Sequence, residues 1–235
     1  MGIGTLYGIS VGTGDPELIT VKGLRLLQSV PAIAFPAGVG NKLGIAQQII
    51  SSWLTPAQHS LPLRFPYVQD EQILAQAWQT AAATVWHYLQ EGDVAFACEG
   101  DISFYSTFTY LAQTLHQRYP EVAIQTVPGV CSPMAAAAAL GIPLTVRSQN
   151  LAVLPTLYSV EALESVLQWA DVVVLMKVSS VYRQVWSLLN QHHLLKQCYV
   201  VERATQPQQV IYRDLRDRPN LELPYFSLLI VQVRQ

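Results

Sequence analysis

Three short apolar runs in this chain each break into a glycine-containing turn. Residues 5–11 run into Gly12-Thr13-Gly14, residues 93–98 into Glu99-Gly100-Asp101, and residues 122–127 into Pro128-Gly129-Val130. A short strand without polar alternation is buried on both faces, which is the habit of parallel sheets covered by helices. In such sheets ligands gather beyond the carboxyl ends of the strands. Glycine at that end lets a ligand approach backbone amides and carbonyls closely. A single turn of this kind is more often a plain corner, so the weight rests on the repetition.

The stretches between these turns carry helical periodicity. Asp15 is placed to cap, and Pro16 to take the first position, of a helix in which Leu18, Val21, Leu24 and Leu27 recur at helical spacing. Residues 32–35 read as a strand stopped by Pro36, 43–53 as a helix, 61–68 as an extended stretch, 71–90 as a long helix ended by Gly92, and 106–119 as a helix. Further on, 131–140 is an Ala-rich helix, 160–170 and 180–191 are helices, and 152–154, 171–176, 199–202 and 228–233 are strands, with 210–212 a further candidate. The alternation implies an α/β fold with sheets flanked by helices, its later part mixed or antiparallel. The Pro120-Glu121 step after a helix places a domain boundary there, giving α/β domains over 1–120 and 121–235.

Composition narrows the function. The 235 residues are 51% hydrophobic and 13% charged, enough for a large core and far from the signature of disorder. A net charge of −2 supplies no basic field for nucleic acid or an anionic membrane. No apolar run is long enough for a membrane span, and no signal-peptide pattern is visible, so a cytoplasmic protein is expected. Cys98, Cys131 and Cys198 are scattered and odd in number, which fits a reducing compartment and gives neither a disulfide framework nor a thiolate zinc site. His59, His87 and His116 have no ligand spacing, and His192-His193 suits the end of a helix, so no bound metal is expected. The turn Gly12-Thr13-Gly14-Asp15-Pro16-Glu17 lacks the third glycine of a dinucleotide fingerprint, and Pro16 removes an amide that would cradle phosphate. No P-loop is present. Cys131 has no histidine near it in sequence and reads as a small pocket residue.

Taken in order, the turns and their surroundings resemble the tetrapyrrole methyltransferase family. The matching segments are residues 7–20 (Tyr7-Gly8-Ile9-Ser10-Val11-Gly12-Thr13-Gly14-Asp15-Pro16), then Gly92-Asp93-Val94-Ala95, Glu99-Gly100-Asp101 with Phe104-Tyr105-Ser106-Thr107, Val127-Pro128-Gly129-Val130, Val174-Leu175-Met176-Lys177 and Glu202-Arg203-Ala204-Thr205. The opening Gly4-Thr5-Leu6, the run 104–111, the stretch Leu63-Arg64-Phe65-Pro66-Tyr67 and Leu151-Ala152-Val153-Leu154-Pro155 look like the branch that methylates carbon 20 of precorrin-2 or its cobalt-containing counterpart. Two positions depart from the family pattern. Ile102 stands where proline usually follows Gly-Asp, and Cys131-Ser132 replaces a Thr-Ser or Ser-Ser pair.

The resemblance implies a two-domain fold with S-adenosylmethionine between the domains, S-adenosylhomocysteine as product, and a homodimer acting on a tetrapyrrole in cobalamin biosynthesis. It implies that Thr13, Gly100, Asp101, Phe104, Cys131, Ser132, Met176 and Ala204 line the cofactor pocket. No residue is assigned to the chemical step; Tyr105 is the candidate polar residue facing the acceptor. The many carboxylates of such an acceptor call for local cations drawn from Arg64, Arg147, Lys177, Arg183 and Arg203, with Lys177 and Arg203 favoured because they adjoin pocket segments. Relatives acting at another ring position, a tetrapyrrole-binding module without activity, and a nicotinamide enzyme are the competing readings.

Overall fold

The computed structural model describes residues 2–234 apart from 39, 41, 67, 69 and 156–159; Tyr67, part of one matched segment, therefore lies outside the described residues. The chain divides into two compact units, Met1–Cys131 and Ser132–Gln235.

The first unit is built on five parallel strands: β1 (Leu6–Ser10), β2 (Ala32–Pro36), β3 (His59–Leu63), β4 (Val94–Cys98) and β5 (Ile124–Val127), in the spatial order β3-β2-β4-β1-β5. Because β5 pairs with β1, residue by residue from Leu6↔Ile124 to Ile9↔Val127, the unit runs past the expected 120/121 boundary. The loop at Pro120 is internal to it.

Helices cover both faces of this sheet. They are α1 (Val21–Ser29), α2 (Ile45–Ile50), α3 (Glu71–Leu89) and α4 (Phe108–Arg118). Alternation along β4 sends Val94, Phe96 and Cys98 into one core with Ala82, Val85 and Leu89 of α3 and Leu111 and Leu115 of α4. Ala95 and Ala97 face the other core, with Leu27 of α1 and Ile49 and Ile50 of α2. Truncating a residue such as Phe96, fully buried, would cost about 3–5 kcal/mol.

The helix expected from Asp15 is split. Oδ1 of Asp15 accepts from the Glu17 amide at 2.8 Å and caps only a single 3-10 turn, Pro16–Leu18. Extended Ile19 then intervenes, and Thr20 caps α1 by accepting from the Gly23 amide at 3.1 Å. The second cap resets the helical phase. Val21, placed by sequence periodicity on the buried stripe, is 83% exposed, while Leu27 is buried.

The second unit holds β6 (Leu151–Leu154), β7 (Val172–Met176), β8 (Cys198–Glu202), β9 (Val210–Arg213) and β10 (Ser227–Gln232) in the order β6-β7-β10-β8-β9. Only β6 and β7 run parallel; β10 returns antiparallel between β7 and β8, so the sheet is mixed. Its helices are α5 (Ser132–Leu140), α6 (Val160–Leu167) and α7 (Tyr182–Gln191). Leu163 and Leu167 of α6 and Val185, Leu188 and Leu189 of α7 pack with Val173, Leu175, Val200 and Leu229 in one core. His192 caps the C-terminus of α7, at the helix end expected from the sequence.

Candidate functional site

The strand order makes neighbours of three turns that are far apart in sequence. With β1 between β4 and β5, the turns after all three strands emerge side by side at the carboxyl edge of one parallel sheet. Two of them are tied directly: Gly100 donates its amide to the Gly12 carbonyl at 2.7 Å, and the Gly12 amide returns to the Gly100 carbonyl at 3.3 Å. Both glycines have positive φ, 75° and 73°. A Cβ added at Gly100 would meet no atom within 4 Å, so this turn, in a conformation that glycine adopts freely, borders open space.

Asp101 binds the third turn. Its carboxylate, 8% exposed, accepts from the Gly129 amide at 2.7 Å and from the Ser103 amide at 2.9 Å and hydroxyl at 2.5 Å. Ser10, fully buried at the end of β1, donates its hydroxyl to the Val127 carbonyl at 2.8 Å, with Asp101 a longer 3.4 Å away, and accepts from the Ile102 amide at 2.8 Å. Burial favours the neutral acid, but the donors from Ser103, Gly129 and Ser10 outweigh it and hold the Asp101 carboxyl below its ordinary pKa. The geometry makes Asp101 a clamp across turns, beyond the local Asx-turn that would only cap Ser103. Gly129 has to be glycine here, since a Cβ would lie 2.5 Å from that of Ser10.

The departure at residue 102 has a physical content. Ile102 is buried and supplies the amide that Ser10 accepts; a proline has no such donor. Neither Ser10 nor this bond is visible in the sequence, because a serine ending an apolar strand carries no distinguishing pattern.

The remaining predicted residues of the first unit lie around the same edge. Thr13, Phe104 and Cys131 are half-buried, and Tyr105 is 55% exposed at φ 55°, its ring edge-on to Phe104 with centroids 4.7 Å apart. Cys98, deep beside them, is inert: burial pushes its thiol up to about 12, and its sulfur lies 3.0 Å from the Ser106 hydroxyl.

In the second unit Met176 ends β7 half-buried, Ala204 is 7% exposed, and Ser132 opens α5. Lys177 and Arg203 each follow the last residue of a strand, and each takes a left-handed backbone, φ 54° and 46°. Such conformations cost a non-glycine residue about 1–2 kcal/mol and cluster at functional sites. Of the five cations considered for an anionic ligand, these two are half-buried, whereas Arg64, Arg147 and Arg183 are exposed on the surface. Glu202, buried next to Arg203, is the hydrogen-bond partner of Tyr212, whose hydroxyl is raised in pKa by burial and by that carboxylate. Among the described residues no group of three His, Cys, Asp or Glu is arranged to hold a metal ion.

The profile of the tetrapyrrole (corrin/porphyrin) methylases matches residues 5–218. The chain is 34% identical over 233 residues to the cobalt-precorrin-2 C(20)-methyltransferase of Salmonella typhimurium, covering 97% of this chain and 96% of that one. Its fold is similar to that of a cobalt precorrin-4 methyltransferase (TM-score 0.72, 24% identity, 97% and 94% coverage). It is also similar to that of the uroporphyrin-III C-methyltransferase of Thermus thermophilus in complex with S-adenosylhomocysteine (TM-score 0.66, 20% identity, 97% and 92% coverage). With the profile matching all but the first four residues of the first unit and most of the second, the chain belongs to the tetrapyrrole methylases.

Proposed function

We propose that the protein transfers a methyl group from S-adenosylmethionine to carbon 20 of precorrin-2 or of its cobalt-containing counterpart, a step of cobalamin biosynthesis. The observation that carries this reading is the 34% identity, across 97% of the chain, to an enzyme named for that position. The residues suit the donor: a glycine turn open on its backbone side at Gly100, a half-buried apolar wall at Phe104, and small residues at Cys131, Ser132 and Ala204. In this proposal Thr13, Gly100, Asp101, Phe104, Cys131, Ser132, Met176 and Ala204 contact the donor, and Tyr105, Lys177 and Arg203 the acceptor.

S-adenosylmethionine supplies a methyl already activated by its sulfonium, and a reduced tetrapyrrole offers an electron-rich ring carbon. What is left for the protein is alignment and the exclusion of water, which is catalysis by orientation. Asp101 contributes by keeping three turns in fixed register, and Lys177 and Arg203 by charge-assisted contacts to ring carboxylates. We further propose that the enzyme acts in the cytoplasm as a homodimer, in keeping with its family resemblance.

The decisive experiment incubates the protein with S-adenosylmethionine and, separately, metal-free and cobalt-containing acceptor, then locates the new methyl by mass spectrometry and NMR. Methylation at carbon 20 is expected. A methyl at any other carbon, or no transfer to either acceptor, overturns the assignment.

A further inference from the structure

The antiparallel return of β10 places its first residues beside the turns that follow β7 and β8. The register pairs Leu228 with Met176 and Ser227 with Glu202, so Tyr225 and Phe226 flank Lys177 and Arg203. The contacts are explicit. The Arg203 amide donates to the Phe226 carbonyl at 2.7 Å, and Lys177 Nζ stands 5.4 Å from the centroid of the Tyr225 ring. The Ser227 hydroxyl donates to the Pro224 carbonyl at 2.7 Å, fixing the turn that presents the two rings. Those rings meet edge to face, with centroids 5.1 Å apart and planes at 87°.

Both rings remain open to solvent, Tyr225 at 45% and Phe226 at 38% exposure. Neither Lys177 nor Arg203 is in an ion pair among the described residues. An exposed aromatic corner edged by two cations that make no ion pair among the described residues, both on strained backbone, is matched to one kind of ligand: a flat conjugated ring carrying carboxylates at its rim. The ring gains apolar and π contact with the aromatic faces, and the rim gains the cations. The contact with the Tyr225 ring limits where the flexible Lys177 ammonium rests, so that its charge is held beside the aromatic surface.

We infer that Tyr225 and Phe226 form an aromatic ledge that binds the acceptor ring, working with Lys177 and Arg203 and setting the orientation in which the ring is presented. This rests on the proposed tetrapyrrole acceptor and extends it to residues that neither motif nor resemblance pointed to.

The test uses the full chain and uroporphyrin III as an unreactive, fluorescent carboxylated probe, titrated against Tyr225→Leu, Phe226→Leu, Lys177→Ala and Arg203→Ala. S-adenosylhomocysteine affinity is measured in parallel by calorimetry. Tyr225→Leu and Phe226→Leu are each expected to weaken probe binding about three- to tenfold, with the affinity for S-adenosylhomocysteine unchanged. The lysine and arginine variants should weaken it further at low salt than at moderate salt. If the two cation variants lose the probe and the two leucine variants do not, the ledge is overturned while the acceptor reading stands. If all four bind the probe like the parent, the acceptor site is not at this edge and both fail. Loss of S-adenosylhomocysteine instead of the probe assigns the ledge to the cofactor and overturns the inference. Near-ultraviolet circular dichroism and unfolding midpoints keep a misfolded variant from being read as a binding defect, and Tyr225→Phe, which retains the ring, should restore probe affinity.

Discussion

The backbone amide of Gly129 donates to Oδ2 of Asp101 at 2.7 Å, so the turn after β5 is held by a carboxylate that belongs to the turn after β4. Asp101→Asn keeps the shape and removes one acceptor. The amide group that replaces a carboxylate oxygen then faces a donor, either the Gly129 amide or the Ser103 pair, and leaves it unmet. We expect a loss of about 1–3 kcal/mol in urea unfolding and a fall in S-adenosylhomocysteine affinity. Parent-like values for both would mean that the clamp does not order the turns.

The same carboxylate gives a pH signature. Its folded pKa lies below the ordinary value, so the stability it adds is fully present above the unfolded pKa of about 4 and disappears as pH falls through the lower folded value. The stability gap between parent and Asp101→Asn should therefore be constant from neutral pH to about pH 5 and narrow below pH 4. Thermal melts across that range check it, and a gap that closes between pH 6 and 8 would point to another group.

Much of this was legible in the sequence, and what was not has identifiable causes. The strands and helices could be read because β4 and β7 are uniformly apolar and α3 stops short of Gly92. Helical spacing alone puts Val21 on the wrong face because Thr20 competes with Asp15 as a cap, and only packing decides which one starts α1. That the three turns adjoin depends on β4 inserting between β2 and β1, a long-range pairing with no local signal. The same holds for Tyr225 and Phe226, which reach Lys177 and Arg203 only through the return of β10. A left-handed backbone at lysine and arginine is likewise invisible, since glycine and asparagine are the residues that announce it.

Gly100→Ala separates strain from ligand contact. Alanine at φ 73° should cost about 1–2 kcal/mol, although its Cβ meets no protein atom within 4 Å. Gly141, at φ 65° and equally open, is the matched control outside the proposed site. Both alanine variants should lose similar stability, whereas only Gly100→Ala should lose roughly tenfold or more in S-adenosylhomocysteine affinity. Equal affinities in the two variants would remove the Gly100 turn from the pocket.

The three cysteines should differ sharply in reactivity. Cys98 and Cys198 are buried, and burial raises both thiols well above the usual range, whereas Cys131 is half-buried. Iodoacetamide at pH 8 should therefore label Cys131 alone in the folded protein, with the other two reacting only after denaturation. Cys131→Ala should keep most of the methyl transfer, because the residue is proposed to contribute bulk and not a nucleophile. Peptide mass mapping and a rate measurement decide both points, and a rate loss of a hundredfold or more in Cys131→Ala would refute the second.

The left-handed backbone at Lys177 allows stability and function to be pulled apart. Its φ of 54° and ψ of 38° cost any residue with a Cβ about 1–2 kcal/mol, a cost that glycine escapes. Lys177→Gly and Lys177→Ala lose the ammonium and its contact with Tyr225 equally, so those losses cancel between them. What remains is the backbone: the glycine variant should be the more stable by about 1 kcal/mol once its greater freedom in the unfolded chain is allowed for. Acceptor binding should fall to the same extent in both, by roughly ten- to a hundredfold if the lysine makes a well-formed charge-assisted contact. Urea unfolding and acceptor titration on the two variants give the comparison. If the glycine variant were the less stable, the strain would be absent. If either variant bound the acceptor like the parent, the strained turn would have to be explained without the ligand that is proposed to use it.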